Sequence, residues 1–216
     1  MSSTIRSLEK PRAQSGFSLV EMVLVVAVVL VVAASALINI LPSIKSSRSN
    51  AGMELVLGEL RRAHERAVDE RRIYRVTFTA PQTIQVDIGQ VVIIGSTITN
   101  SAPVFNAAQP PLTLPGNIQF LVVPGIPTNP AATPDGFGTG AVAIDFDIAN
   151  GGGGTQIYFQ PDGRALDGAN RLNDGVIYLA EPNNLFSSRA VSLYGTTGRS
   201  KSWFLTKVNG VSKWTQ

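Results

Sequence analysis

The chain has 216 residues, 44% hydrophobic and 15% charged, a composition that excludes a disordered chain. It contains no cysteine, so a disulfide framework, a thiolate metal site and a cysteine nucleophile are excluded. The formal charge of +3 is unevenly placed: Arg6, Lys10 and Arg12 against Glu9 give the first 16 residues +2 and leave the remainder at +1.

The basic stretch Met1 to Gly16 precedes an apolar run from Phe17 to Leu41, 25 residues broken only by Ser18, Glu21, Ser35 and Asn39. As a helix at ~1.5 Å per residue, this run covers roughly 38 Å, enough to cross a hydrocarbon layer of ~30 Å. A secretory signal peptide has a shorter apolar core, and its small-residue cleavage site follows that core. Here Gly16 stands before the run. Positive charge ahead of the span keeps that side in the cytoplasm and sends the C-terminal body outward. Glu21 is the exception within the run. An acid at a bilayer centre costs about 2.5–3.5 kcal/mol and generally marks function. In the first helical turn the helix dipole favours an acid. Span geometry alone accommodates Glu21 equally as a functional residue or as one resting at the headgroup level.

Gly16-Phe17-Ser18-Leu19-Val20-Glu21, with a basic leader before it and an apolar run after it, resembles the prepilin processing motif of type IV pilins and type II secretion pseudopilins. The resemblance implies that a membrane aspartyl peptidase cuts after Gly16 and that the new terminus, Phe17, is N-methylated. It implies also that Glu21 pairs with a neighbouring subunit's terminal amine during assembly. Methylation keeps an amine's charge, and a buried acid is tolerable beside a cation. The partners implied are the prepilin peptidase, inner-membrane lipid before assembly, and other pilins or pseudopilins in a filament. The expected location is the bacterial inner membrane, single-pass with a periplasmic body, and then a pilus or pseudopilus. No cofactor is expected.

Pro42 is expected to interrupt the helix after the span, since proline removes a backbone hydrogen bond, and Lys45 and Arg48 mark the exit to water. Helical periodicity resumes near Asn50: Met53, Val56, Leu57, Leu60, Ala63, Ala67 and Val68 fall at spacings of three and four, one apolar stripe. Glu54, Glu59, Arg61, Arg62, Glu65, Arg66, Asp69 and Glu70 read as a solvated or subunit-facing surface. His64, the only histidine, has no second histidine or cysteine with which to hold a metal, and reads as packed or half-exposed.

Strands follow. Tyr74, Val76 and Phe78 alternate with polar residues, Ala80-Pro81-Gln82 turns the chain, and Ile84, Val86 and Ile88 alternate again, predicting a hairpin. Val91–Ile94, Ile118–Val123 and Ala141–Ile148 are further strand candidates. Residues 100–116 and 124–140 read as long loops, and Gly151 to Gly154 as a flexible turn. The Ile157-Tyr158-Phe159-Gln160-Pro161-Asp162-Gly163-Arg164 segment, a strand entering a turn, precedes Val176–Ala180, Arg189–Tyr194 and Gly198-Arg199-Ser200-Lys201. This succession resembles the H-type pseudopilin and FimT-like branch. The two resemblances span about the first 70 and last 60 residues, and imply an α+β, type IV pilin-like fold in which a long N-terminal helix packs on an antiparallel sheet. The expected organisation is a leader at 1–16, a membrane and filament-core helix at 17–41, an amphipathic helix at 42–72 and a β-rich body at 73–216.

Asp145, Asp147, Asp162, Asp167 and Asp174 do not form a calcium loop with a closing glutamate and read as turn and strand-end residues. Asp145 and Asp147 are expected to face outward if Ile144, Phe146 and Ile148 face inward. One histidine makes no hydrolase triad, and the glycine run lacks a phosphate loop's lysine, so an enzyme is not expected. Arg199, Lys201, Lys207 and Lys213 interleave with Trp203, Phe204 and Trp214 after the last acid, Glu181. Gly198-Arg199-Ser200-Lys201-Ser202-Trp203 resembles the Gly-Arg-x-Arg-x-Trp motif of DNA-binding FimT-like pilins, with lysine replacing arginine at 201. Arg199, Lys201, Trp203, Lys207 and Lys213 are therefore candidates for DNA contact. The preferred reading is a closing strand with solvated bases and Trp203 in the core.

Overall fold

The structure, a computed structural model, describes residues 18–90, 93–94, 97–98 and 104–216, without the side chains of 36–45, 93–94, 97–98 and 130. The predicted leader, Phe17, and Val91 and Val92 of a predicted strand lie outside the described residues. The chain divides into two compact units, Met1–Ser43 and Ile44–Gln216.

One helix, α1, runs from Leu19 to Glu70. Pro42 does not interrupt it, contrary to expectation. A proline inside a helix costs about 3 kcal/mol through one lost hydrogen bond and a ring clash, a local cost that long helical flanks on both sides outweigh. In the second unit the predicted stripe is buried: Met53, Val56, Leu57, Leu60, Ala63 and Ala67 are all at most 3% exposed. Val68 departs from it at 41% exposed. Glu59 departs the other way: it is buried, bonded to Arg62 and accepting from Gln109 Nε2 at 2.8 Å, so the packed face is wider than the apolar residues alone indicate.

The strands are β1 (Tyr74–Thr79), β2 (Thr83–Gln90), β3 (Ile93–Ile94), β4 (Thr97–Ile98), β5 (Val104–Ala107), β6 (Leu112–Thr113), β7 (Gln119–Phe120), β8 (Ile144–Phe146), β9 (Gln156–Phe159), β10 (Ala165–Leu166), β11 (Gly175–Ala180), β12 (Arg189–Tyr194), β13 (Arg199–Val208) and β14 (Val211–Thr215). The predicted hairpin forms, with Thr79 opposite Thr83. It lies in a sheet ordered β10-β9-β1-β2-β5, with β6 also on β2. A second sheet runs β14-β13-β12-β11-β7, with β8 also on β11; β3 and β4 pair separately. All of these pairings are antiparallel. The architecture is α+β. The predicted loop 100–116 contains β5 and β6, and 124–140 contains two short 3₁₀ turns.

Period-two alternation explains the packing on both sheets. From β1, β9, β11 and β12, Tyr74, Val76, Phe78, Ile157, Phe159, Ile177, Leu179, Val191 and Leu193 join the α1 stripe in one core. The alternate residues of the second sheet, Val176, Tyr178, Ala190, Leu205 and Trp214, form a smaller core with Ile126 beneath the segment 122–137. That sheet is therefore covered on both faces.

Candidate functional site

The first turn of α1 carries Glu21, exposed, within a run that is apolar on every side of the helix. Every large apolar side chain from Leu19 to Val32 is at least 49% exposed. A helix apolar all round belongs inside a protein core or a lipid phase. Ser35, the polar residue of this stretch, donates to the Val31 carbonyl at 2.9 Å, closing its hydroxyl onto the helix backbone. Among the described residues no helix is long and apolar enough to cross a membrane. The expected span, 17–41, takes in Phe17 and the side chains of 36–41, which lie outside them. Gly16 and Phe17 likewise lie outside the described residues.

The second candidate set, in the tail, is brought together only in part, Trp203 and Lys213 lining one groove and Arg199 another notch. Arg199 opens β13 and is exposed, in a notch with Arg61, His64 and Glu65. Lys207 lies eight residues along the same strand, roughly 26 Å away. Between them Lys201 is held: its Nζ donates to Asp135 Oδ1 at 2.8 Å and to the Tyr194 hydroxyl at 3.3 Å. Ser192 Oγ donates to the other Asp135 oxygen, and Trp203 Nε1 donates to Ser192 Oγ at 3.0 Å. Burial raises the Asp135 pKa, but the hydrogen bonds from Lys201, Ser192 and Tyr194 outweigh it and hold the carboxyl below its ordinary range. The Asp135 hydrogen bond raises Lys201 in turn. Trp203 is half-buried against the smaller core, and Lys213 is exposed on β14 beside a groove of about 540 Å³ that Trp203 and Trp214 also line. The tail is a closing hairpin with Lys201 neutralised.

Sequence reasoning missed Asp135 because it approaches from a loop 66 residues earlier in the chain. The β13–β14 turn did have a local signal, the dipeptide Asn209-Gly210, whose positive φ values of 51° and 84° suit a two-residue hairpin.

The expectation that Asp145 faces outward is corrected: it is 3% exposed. Its residue does alternate away from Ile144 and Phe146, but that face is covered. Gly153 N–H donates to Oδ1 at 2.8 Å, Thr139 N–H donates to Oδ2 at 3.3 Å, and a Cβ on Gly152 would lie 2.5 Å from Oδ1. The glycine turn is therefore moulded on a carboxylate, with Gly151, Gly152 and Gly153 all at positive φ. Asp147 ion-pairs with Arg171 at 3.0 Å. Among the described residues no three His, Asp or Glu side chains converge on a metal-sized point. His64, half-buried, hydrogen-bonds the Gly163 carbonyl at 3.1 Å and meets Phe159 edge-on.

A family model described as the prokaryotic N-terminal methylation motif matches residues 11–37. The match takes in Gly16, Phe17 and Glu21 together with the apolar helix. The N-terminal segment thus carries a type IV prepilin-like methylation motif. The motif implies processing by prepilin peptidase, membrane anchoring and assembly with other pilins. No curated protein and no solved structure matches the chain.

Proposed function

We propose that the chain is a minor pilin or pseudopilin of the H-type and FimT-like branch, a structural subunit of a type IV pilus or a type II secretion pseudopilus. Gly16 is the cleavage position, Phe17 the methylated terminus, and Glu21 the partner of a neighbouring subunit's amine. The observation that carries this reading is the coincidence of the methylation motif at 11–37 with an exposed, all-round apolar helix bearing one acid in its first turn. Such a helix gains nothing in water. It leaves lipid only when another apolar helix surface replaces the acyl chains, and a carboxylate at the start of the run makes that exchange depend on a cationic partner. The α1 stripe packed on antiparallel sheet supports a pilin-like body.

The DNA-uptake alternative has less support, since Lys201 is committed to Asp135 and Arg199 stands far from Lys207 along β13.

Glu21→Leu tests the proposal. It makes the run more apolar, so the variant should insert in the membrane and be cleaved normally, yet be missing from sheared filaments. Assembly at wild-type level would remove Glu21 from the assembly role.

A further inference from the structure

One end of the Ile44–Gln216 unit gathers an apolar and basic surface that the core does not use. At its centre is Arg189, the first residue of β12, 5% exposed. Its guanidinium donates to Asn50 Oδ1 (2.8 Å), Ser46 Oγ (3.4 Å) and the carbonyls of Phe186 (3.1 Å) and Ser188 (2.9 Å). Among the described residues no carboxylate pairs with it. Burial depresses its pKa, but an arginine stays charged. A fixed positive charge therefore sits where α1 enters the body.

Two loops flank that point. On one side Pro115–Ile118 packs on α1: a Cβ on Gly116 would lie 3.3 Å from Arg48 Cδ, and one on Gly52 would lie 3.1 Å from Ile118 Cγ2. On the other, residues 183–188 present Phe186, 47% exposed. α1 passes Arg189 at Asn50 and reaches Gly163 and Gly198 at His64, so it runs along β12 in the same direction. β13 is level with Arg189 at Phe204 and continues four residues to Val208, about 13 Å further toward the Ile44 side. Its turn exposes Val208 (43%) and Val211 (69%), flanked by exposed Lys207 and Lys213.

Charge and tethering identify the occupant. Residues 44–52, 108–134 and 182–216 contain no acid; of the acids that border them, Asp135 is held by Lys201 at 2.8 Å and Glu181 accepts from Asn184 Nδ2 at 3.1 Å. Ser46 follows Leu41, the end of the apolar run, by five residues, so the chain holds the Arg189 end within ~18 Å of that point in any conformation. A basic surface with exposed apolar residues at its tips, tied this closely to a membrane anchor, meets an anionic headgroup layer before any other partner.

We propose that this end of the body docks on the bilayer surface. Phe186, Val208 and Val211 enter the interfacial layer, and Arg48, Lys207 and Lys213 contact lipid phosphates. Docking holds the unassembled subunit in one orientation, and incorporation into a filament releases it. The inference rests on the membrane-anchored reading.

The chain has no native cysteine, so single labels are clean. The full chain carrying Phe186→Cys, Val211→Cys, Leu30→Cys or Asp162→Cys is labelled with a fluorophore and reconstituted in phosphatidylcholine–phosphatidylglycerol vesicles containing nitroxide lipids. Headgroup nitroxides should quench the labels at 186 and 211 well beyond the label at 162. Lys207→Gln and Lys213→Gln should each lower the docked-to-undocked ratio about fivefold, and high salt should act likewise. The Leu30 label reports anchoring separately, through acyl-chain nitroxides. An unquenched Leu30 label overturns the anchored reading, and docking with it. A quenched Leu30 label with 186 and 211 no different from 162 overturns docking alone. Protection of 186 and 211 by added filament subunits but not by lipid overturns it in favour of a subunit interface.

Discussion

Gly198 and Gly210 form a matched pair that isolates the junction between α1 and the far turns of the body. Both have positive φ, 63° and 84°. A Cβ on Gly198 would lie 2.4 Å from His64 Cδ2 and 2.5 Å from the Gly163 carbonyl oxygen, whereas one on Gly210 meets nothing within 4 Å. Alanine at either position takes on the left-handed backbone penalty of about 1–2 kcal/mol. At Gly198 overpacking adds about 1–3 kcal/mol, because the obstructing carbonyl cannot rotate away. The expected losses are therefore about 1–2 kcal/mol for Gly210→Ala and about 2–5 kcal/mol for Gly198→Ala. At roughly 2–4 °C per kcal/mol for a body of this size, thermal unfolding separates them clearly. Unfolding of the full chain in detergent micelles, followed by the fluorescence of Trp203 and Trp214, measures both. Adding His64→Ala should recover only part of the Gly198→Ala loss, since Gly163 remains. Equal losses for the two single variants would refute the packing of His64 between these turns.

Gly16→Leu should leave the leader attached, and immunoblots should show a precursor heavier by 16 residues; normal processing would contradict the cleavage assignment. Leu60→Ala, at a residue 1% exposed in the larger core, should cost about 2–5 kcal/mol in urea unfolding; a loss near zero would mean that the stripe does not pack on the sheets. Asp135→Asn tests the Lys201 latch through pH. The folded-state carboxyl pKa is depressed, so its contribution to stability is present above the unfolded value of about 3.9 and is lost as pH falls through the folded value. Asp162 and Asp167 are depressed too, so the wild-type minus Asp135→Asn difference is the quantity to follow. It should shrink below about pH 4; parallel curves would rule the latch out.

The processing segment is legible in the sequence because everything it needs is local. Gly16, Phe17, Glu21 and the run behind them fall within one stretch, and the methylation motif is matched there, at residues 11–37. The stripe from Met53 to Ala67 and the hairpin at Ala80-Pro81-Gln82 were legible for a similar reason, since periodicity and turn chemistry are short-range. Pro42 shows where short-range reading ends, because one proline is a cost that its flanks can overrule. Three further outcomes depended on residues far apart in the chain. Asp145 became buried because a glycine turn and the Thr139 backbone close over it. Lys201, one of a run of bases in sequence, lost its free charge to Asp135. Arg189, in sequence an ordinary strand residue, became a buried cation beside Ser46 and Asn50 only because α1 runs along β12. Sequence sets the charge and hydropathy of each side chain, but which charges are cancelled and which face outward depends on what the fold places opposite them.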